Sequence, residues 1–206
     1  MIATDEFLAR LTRALHVSPP AVTSRGDDDL NPEHLWERPD APPRPAAVLV
    51  PLVAHEAGLN VLLTLRTAHL SSHAGQIAFP GGKIDAADGG PVAAALREAE
   101  EETGLRPCFV EPLGFLDGYL TSTHYHVTPV VGLVRPGFVL KPEPSEVEAV
   151  FEVPLSFLMD PANMVKHSRM WQNRERFYYA MPYGERYIWG ATAGMLKNLR
   201  DRVFAS

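Results

Sequence analysis

The chain has 206 residues, of which 46% are hydrophobic and 21% are charged. This length and composition are typical of one globular core rather than of two independent domains. The formal net charge of −6 argues against a nucleic-acid partner, because non-specific binding to nucleic acid usually needs a basic surface.

The amino-terminal part is predicted to be an arm that packs on the main domain. Apolar residues at helical spacing from Phe7 to Leu15 predict a helix. Because charged side chains interrupt this pattern, it is unlike a secretory signal. Residues 17–45 are polar and proline-rich, which is typical of an irregular segment. We therefore divide the chain into an arm, residues 1–44, and a domain, residues 45–206.

The domain is predicted to be rich in strands, with a central and a terminal helix. Pro91 and Gly104 stand where a helix tolerates proline and where it ends, so they bound a helix over residues 92–103. A last helix is predicted over residues 191–203. Together these elements predict an α+β fold. Runs rich in β-branched and aromatic residues predict strands over residues 46–54, 59–67, 76–79, 109–120, 127–134, 149–153, 164–171 and 177–181.

These elements include no membrane span and no disulfide. The longest apolar run, residues 46–54, is interrupted by Pro51 and is too short to cross a bilayer. Cys108 is the only cysteine, so no internal disulfide can form and an oxidising compartment is not required. We expect a cytoplasmic protein without a membrane partner.

The predicted central helix carries three carboxylates on one face. Because successive helical residues are about 100° apart, Glu98, Glu101 and Glu102 share roughly 100° of arc. Arg97 stands four residues before Glu101 and can pair with it. Like charges at this spacing repel one another, and a hard divalent cation such as Mg²⁺ would neutralise them. A solvated acidic stripe is the alternative, and the helix alone leaves both interpretations open.

Residues around this helix form a longer motif. Gly81 and Gly82 precede it, where backbone without a Cβ can approach a metal or a phosphate. The full pattern resembles the Nudix box, the signature of hydrolases of nucleoside diphosphates linked to another group. Asp88 stands where the box usually has Glu, and the interval from it to Arg97 is one residue longer. The pattern reads Gly82-x5-Asp88-x8-Arg97-Glu98-x2-Glu101-Glu102-x-Gly104-Leu105.

The longer interval resembles the coenzyme A diphosphatase branch of the Nudix family. Residues upstream of the box also resemble that branch's own signature, with one departure. An Arg usually follows the Leu of His69-Leu70, and this chain has Ser71 there. Including similar segments downstream, the resemblance extends over roughly residues 45–199. The matching segments are residues 62–67, 69–70, 73–76, 79–82, 146–147, 150–151, 153–155 and 187–192.

The resemblance implies a Nudix-type α/β/α sandwich, in which a mixed β-sheet lies between helices and the catalytic box forms a loop–helix–loop. It implies Mg²⁺ or Mn²⁺ as the cofactor, held by Glu98, Glu101, Glu102 and the carbonyl oxygen of Gly81. Glu101 would be either a ligand or the orienting partner of Arg97. More than one metal ion is compatible with three carboxylates.

The family often takes its general base from a late loop outside the box. Glu146 is the first candidate, ahead of Glu143 and Glu148, and a solvated loop carboxylate is the alternative for each. Four further side chains are expected on the edge that contacts the substrate phosphates, namely Arg66, His73, Gln76 and Lys83.

The implied reaction is hydrolysis of coenzyme A or acyl-coenzyme A to 3′,5′-ADP and (acyl-)4′-phosphopantetheine. A hydrolase of ADP-ribose-like or dinucleotide diphosphates is the alternative, and Ser71 favours it. A non-catalytic Nudix-fold ligand-sensing module is the alternative from another class, although such a module tends to lose box carboxylates. The expected partner is a small-molecule substrate, and a homodimer is compatible with these features.

Overall fold

A computed structural model of the chain describes residues 4–21, 23–32, 41–70, 73–171 and 173–205. A mixed β-sheet lies between helices on its two faces, which confirms the predicted α+β class and the α/β/α layering. Within the described ranges, no helix is long and apolar enough to cross a membrane.

The main sheet contains nine strands within the described ranges. The strands are β1 (Thr23–Gly26), β2 (Arg44–His55), β3 (Gly58–Arg66), β4 (Ile77–Ala78), β5 (Gly81–Lys83), β6 (Val110–Phe115), β7 (Gly118–Leu120), β8 (Tyr125–Val134) and β9 (Val147–Pro154). Their principal order in the sheet is β1-β7-β8-β2-β3-β4, while β5 pairs with β2, β6 with β8 and β9 with β3. The pairs β2/β8 and β1/β7 are parallel and the others antiparallel.

The central strand β2 is apolar on both faces because both faces are covered. Its side chains alternate between two hydrophobic cores. Val50 and Leu52 belong to the larger core, and Leu49 and Val53 belong to the smaller one. All four are fully buried. This explains why the strand appears in the sequence as a nearly continuous apolar run rather than as an alternation.

The helices divide between the two cores. Helix α2 (Pro91–Thr103) packs on the smaller core through its buried alanines. Helices α1 (Thr4–Ala14), α3 (Leu155–Met159) and α4 (Ala191–Phe204) contribute to the larger core. The predicted helices near residues 7–15, 92–103 and 191–203 are confirmed, with Gly104 in the left-handed conformation at the end of α2. The five-residue α3 was not predicted because it is too short to show helical periodicity.

A second sheet of three antiparallel strands packs beside α4. It consists of β10 (Val165–Trp171), β11 (Arg174–Tyr183) and β12 (Arg186–Trp189). The hydroxyl of Thr192, at the start of α4, donates to the carbonyl oxygen of Ile77 in β4 at 3.0 Å. Helix α4, which follows the second sheet in the chain, is thereby bonded to the main sheet.

The predicted irregular arm is more ordered than expected. Strand β1 pairs with β7 in parallel, and a 3₁₀ turn follows over Asp27–Leu30. The prediction of an irregular segment is therefore wrong for residues 23–30. The four residues of β1 include no large apolar side chain, so the sequence shows no alternation that would predict a strand. Residues 33–40 of the predicted arm lie outside the described ranges. The division between residues 44 and 45 remains a prediction.

Two strand predictions also need correction. The strand predicted over residues 76–79 was expected to end in a turn at Pro80-Gly81-Gly82. Instead, Gly81–Lys83 forms a further strand, β5, which pairs with β2. The strand predicted over residues 109–120 is two strands, β6 and β7, separated at Leu116-Asp117. Both strands pair with β8, and the pairing of β6 is also irregular between Pro112 and Gly114.

Candidate active site

Two glycines allow the backbone of β5 to lie directly against α2. A Cβ on Gly82 would lie 2.5 Å from the carboxylate carbon of Glu98, and a Cβ on Gly81 would lie 2.5 Å from the carbonyl oxygen of Ala47. At Gly81 the close atoms are backbone, so no side chain fits there, and at Gly82 a side chain would displace the carboxylate of Glu98. The N–H of Gly81 donates to Oε2 of Glu102 at 3.2 Å. The glycine pair therefore places a backbone surface beside two of the predicted metal ligands.

Arg97 is the hub of the box. Its Nη1 donates to Glu98 at 2.9 Å and to Glu101 at 3.1 Å, so the predicted pairing with Glu101 is present. Its Nη2 also donates to the carbonyl oxygen of Lys83 at 3.2 Å. One cation thus holds two box carboxylates and the end of β5 together. We call Glu98, Glu101, Glu102 and Arg97 the carboxylate centre.

Asp88 anchors Arg97 from the loop before α2. Both of its carboxylate oxygens accept from the guanidinium, Oδ1 from Nε at 3.0 Å and Oδ2 from Nη2 at 2.9 Å. Donation from Arg97 lowers the pKa of Asp88, so it stays charged. The sequence motif left the role of this residue undecided because its residue type and interval both depart from the usual box. The two-oxygen contact marks it as the residue that positions Arg97.

Glu102 is the buried member of the centre, with only 4% of its surface exposed. Burial raises its pKa to about 7, against the opposing effects of the Gly81 N–H and of Arg66. Burial also raises the pKa of Glu98, which Arg97 opposes. In both cases the charge of Glu146 raises the pKa further. Burial and the neighbouring carboxylates thus both favour the protonated forms of Glu98 and Glu102.

The loop before β9 brings Glu146 to this centre. The N–H of Glu143 donates to the carbonyl oxygen of Glu102 at 2.9 Å, which fixes the loop on the end of α2. The N–H of Thr67 donates to the carbonyl oxygen of Glu146 at 3.0 Å. Glu143 itself binds Ser145, whose hydrogen bonds lower the pKa of Glu143. All three predicted base candidates are exposed, and Glu146 is the one whose charge raises the pKa of both Glu98 and Glu102.

Arg66 lies at the wall of the centre, at the end of β3. Its Nη1 is 3.5 Å from Oε1 of Glu102. Its Nε is buried and has no hydrogen-bond partner among the described residues. A buried guanidinium nitrogen without a partner is costly, and a bound anion would satisfy it. Among the predicted substrate residues, Arg66 thus contacts a box carboxylate directly.

The other predicted substrate residues lie on the turn that is hydrogen-bonded to Arg66 and on β5. His73 has a positive φ of 56°, and its Nδ1 is 2.9 Å from Oε1 of Gln76. The backbone of Gln76 accepts from the N–H of Arg66 at 3.0 Å, which joins this turn to Arg66. The side chain of Lys83 is exposed. Ser71 lies outside the described residues.

The donor set suits a hard divalent ion, because it consists of carboxylate and carbonyl oxygens. Among the described residues, no three or more His, Cys, Asp or Glu side chains already converge to hold a metal ion. Arg97 holds Glu98 and Glu101, and the Gly81 N–H holds Glu102. Metal ligation would compete with these contacts. Burial first, and neighbouring carboxylates second, raise the pKa of Glu98 and Glu102, and a divalent cation would stabilise the charged forms of both.

Comparisons with known proteins agree with this geometry. The model of the NUDIX domain matches residues 42–180. NudL of Escherichia coli K12, described as an uncharacterised Nudix hydrolase, is 41% identical over 169 residues, which cover 78% of this chain and 83% of NudL. NudL of Shigella boydii serotype 18 has the same identity and coverage.

Solved structures with similar folds include an Ap4A hydrolase from C. elegans in a binary complex. Its TM-score is 0.47 at 17% identity, over 54% of this chain and 80% of that chain. The NUDIX domain of Shewanella oneidensis NrtR complexed with ADP ribose has a TM-score of 0.43 at 23% identity, over 61% of this chain and 84% of that chain.

The family match covers more than half of the chain, and the NudL relatives exceed 30% identity over most of it. Nudix hydrolases generally use divalent metal ions, in agreement with the oxygen donors around α2. Their substrates are small molecules that contain a pyrophosphate linkage. The chain therefore belongs to the Nudix family, and it is an enzyme that hydrolyses pyrophosphate linkages.

Proposed function

We propose that this enzyme hydrolyses the diphosphate of coenzyme A or of acyl-coenzyme A. The products would be 3′,5′-ADP and 4′-phosphopantetheine or its acylated form. The observation that carries the proposal is the position of Arg66. It belongs to the upstream segment that resembles the coenzyme A diphosphatase branch, and its guanidinium reaches to 3.5 Å from the box residue Glu102. Segment and box thus meet at one site.

Arg66 has the chemistry that a diphosphate needs. A guanidinium binds phosphate oxygens through two parallel N–H groups. The buried Nε without a partner supports an anion at this position. His73, Gln76 and Lys83 would contact the same phosphates from the adjoining turn and from β5. Hydrogen bonding between His73 and Gln76 would orient both side chains toward one ligand.

A divalent metal ion, Mg²⁺ or Mn²⁺, would be held by Glu98, Glu101, Glu102 and the carbonyl oxygen of Gly81. When bound, it would neutralise the diphosphate oxygens and lower the pKa of an attacking water. The burial of Glu102 and the glycine backbone beside Glu98 support a water-poor setting for this charge.

In the proposed reaction, the water oxygen forms a bond to one phosphorus of the diphosphate. The bond from that phosphorus to the bridging oxygen breaks, and the bridging oxygen leaves with the other phosphate. Glu146 accepts the proton from the water. The effect of its charge on Glu98 and Glu102 supports Glu146 as this base. Arg97, fixed by Asp88, keeps Glu98 and Glu101 in position.

A panel of diphosphate substrates tests the proposal. The purified chain is incubated with coenzyme A, acetyl-coenzyme A, ADP-ribose and a diadenosine polyphosphate, in Mg²⁺ and in Mn²⁺, and products are identified by mass spectrometry. We expect metal-dependent release of 3′,5′-ADP from coenzyme A and its thioester. The same preparation with excess EDTA should release none.

The outcome separates the substrate from the chemistry. Cleavage of ADP-ribose or of the diadenosine compound, with coenzyme A left intact, would refute the coenzyme A assignment and leave the diphosphate hydrolysis in place. It would favour the alternative suggested by Ser71.

A further inference from the structure

A cavity lies on the face of the main sheet opposite to α2. Its volume is about 390 Å³, and its walls are the 3₁₀ turn Asp27–Leu30, the second sheet and α4. No residue of the carboxylate centre lines this cavity. The volume is within the range of roughly 300–1,000 Å³ that small-molecule pockets occupy. The function proposed above makes no use of this cavity.

Two arginines stand directly opposite each other on the wall formed by β10 and β11. Arg169 and Arg176 are partners in the antiparallel register, so their side chains project from the same face of the sheet. Both line the cavity. Like charges that face each other across two strands destabilise the pair. An anion between the two guanidinium groups would remove this cost.

The described protein groups neutralise this pair only weakly. Asp28 is at the limit of ion-pair distance from Arg176, with 4.0 Å between Oδ1 and Nη2. Arg169 makes no ion pair with any described carboxylate. Its guanidinium carbon lies over the ring of Trp189, at 4.7 Å from the ring centre, and over Trp171 at 5.3 Å. Stacking of this kind leaves the edge N–H groups of the guanidinium available to a ligand.

The carboxylates that line the cavity have other partners. Asp27 accepts from the hydroxyl of Tyr119 at 2.8 Å and from the N–H of Ser122 at 2.7 Å. Asp201 pairs with Lys197 at 2.5 Å. Burial raises the pKa of Asp29, which the N–H of Gly26 and the charge of Arg25 oppose. Asp27 and Asp201 are thus held by groups other than Arg169 and Arg176, and both guanidinium groups line the cavity.

From this juxtaposition we propose that the cavity binds a phosphomonoester group, with Arg169 and Arg176 as its two-sided clamp. Paired guanidinium groups match the oxygens of a phosphate. Trp189 and Tyr178, whose ring centres are 5.2 Å apart, form an aromatic wall beside them. That wall suits a ligand whose phosphate is attached to a flat ring system, such as a nucleotide.

Binding is measured by calorimetric titration with adenosine 3′,5′-bisphosphate in EDTA. Removing divalent ions suppresses binding of phosphate at the box carboxylates. Adenosine without phosphate is titrated as the reference ligand. We expect Arg169→Gln and Arg176→Gln to weaken bisphosphate binding at least about tenfold. Arg135→Gln is the matched control, because Arg135 is an exposed arginine outside the cavity and should leave the affinity unchanged.

Two results would overturn the proposal. One is a wild-type protein that binds the bisphosphate no better than adenosine. The other is an unchanged affinity in Arg169→Gln and Arg176→Gln while both remain folded in a thermal melt. If a glutamine variant does not fold, Arg169→Lys keeps the charge but removes the planar fork, and it should still weaken binding.

The phosphate could come from the substrate itself or from a separate molecule, and kinetics distinguish the two. This comparison rests on the proposed function, whereas the titration does not. If the substrate supplies the phosphate, Arg169→Gln raises KM for coenzyme A but not for dephospho-coenzyme A. If a separate molecule supplies it, both KM values stay the same, and added bisphosphate, which is also the proposed product 3′,5′-ADP, changes the wild-type rate more than the rate of Arg169→Gln. If coenzyme A is not cleaved at all, the titration still decides whether the cavity binds phosphate.

Discussion

Two ionic networks in this molecule show opposite balances of charge. In the carboxylate centre, Arg97 serves Asp88, Glu98 and Glu101 together. At the junction of the amino-terminal segment with α4, the single carboxylate of Asp117 receives several donors. Nδ2 of Asn198 and Nη1 of Arg202 each lie 2.7 Å from it, and Nε2 of His16 lies at 2.8 Å. We call this second network the Asp117 junction.

The pKa values follow the two balances. Burial alone would raise the pKa of Asp117, but the hydrogen bonds from His16 and Asn198 and the charge of Arg202 outweigh it and lower the pKa. In the carboxylate centre burial prevails, and the pKa of Glu98 and of Glu102 is raised. Asp117 thus has enough donors to keep its charge inside the fold, whereas the carboxylates of the carboxylate centre share fewer donors and would gain from a ligand that supplies positive charge. The comparison distinguishes a carboxylate satisfied by the protein itself from carboxylates that favour a bound cation.

The largest expected effect is that of Glu102→Gln on turnover. It removes a charged ligand from the proposed metal site and keeps the side-chain shape. We expect kcat to fall by about 10³-fold, since charge stabilisation at a metal site contributes several kcal/mol. The free energy of unfolding in EDTA should not fall. Burial raises the pKa of Glu102, which means that its charged form is less stable in the fold than in water, and the neutral Gln avoids this cost. Steady-state kinetics and urea denaturation measure the two quantities.

Glu100→Gln is the matched control on the same helix. Glu100 is exposed and lies outside the carboxylate centre, so its turnover should equal that of the wild type. A Glu102→Gln enzyme with wild-type turnover would remove Glu102 from the metal site. A large loss of stability in that variant would instead make Glu102 part of a structural network like the Asp117 junction.

A smaller effect is expected from Asp88→Asn. Asp88 contacts Arg97 with both oxygens and would act on the metal ligands only through it. Losing such a supporting partner typically lowers metal affinity or activity by about 10–100-fold. We therefore expect a higher Mg²⁺ concentration for half-maximal rate, measured by metal titration at saturating substrate.

Asp85→Asn is the comparison for this loop. Asp85 is 3.7 Å from Arg97 and its side chain is 67% exposed, so its loss should change the metal titration little. Equal effects of the two substitutions would show that loop charge in general, rather than the two-oxygen contact of Asp88, supports the centre.

The sequence predicted the parts of this molecule that repeat with a regular period or a fixed spacing. The box helix and the pairing of Arg97 with Glu101 follow from helical geometry alone. The anchoring of Arg97 by Asp88 does not, because it depends on how an irregular loop returns over nine residues. The opposition of Arg169 and Arg176 depends on the register of a hairpin, which pattern does not define. Contacts within one helix were accessible from sequence, whereas contacts set by loops and registers were not.

The smallest effect, and the one that tests the other side of the comparison, is that of Asp117→Asn on stability. The substitution removes the charge that Arg202 faces at 2.7 Å, and the side chain of Asp117 is only 14% exposed. Hydrogen bonds to a charged group contribute roughly 1.5–3 kcal/mol, so we expect a loss of about 2 kcal/mol in the free energy of unfolding at neutral pH. Glu111→Gln, in the exposed pair with Arg135, should lose no more than about 0.5 kcal/mol.

The pH dependence of this loss follows from the lowered pKa of Asp117. A carboxyl whose pKa is lower in the folded state than in the unfolded chain stabilises the fold above the unfolded value, and this contribution disappears as pH falls through the folded value. The difference in unfolding free energy between the wild type and Asp117→Asn should therefore be constant near neutral pH and shrink in the acid range. Urea denaturation at a series of pH values measures it. A difference that grows on acidification would mean that the fold raises the pKa of Asp117, as it does for Glu98 and Glu102, and would contradict the prediction.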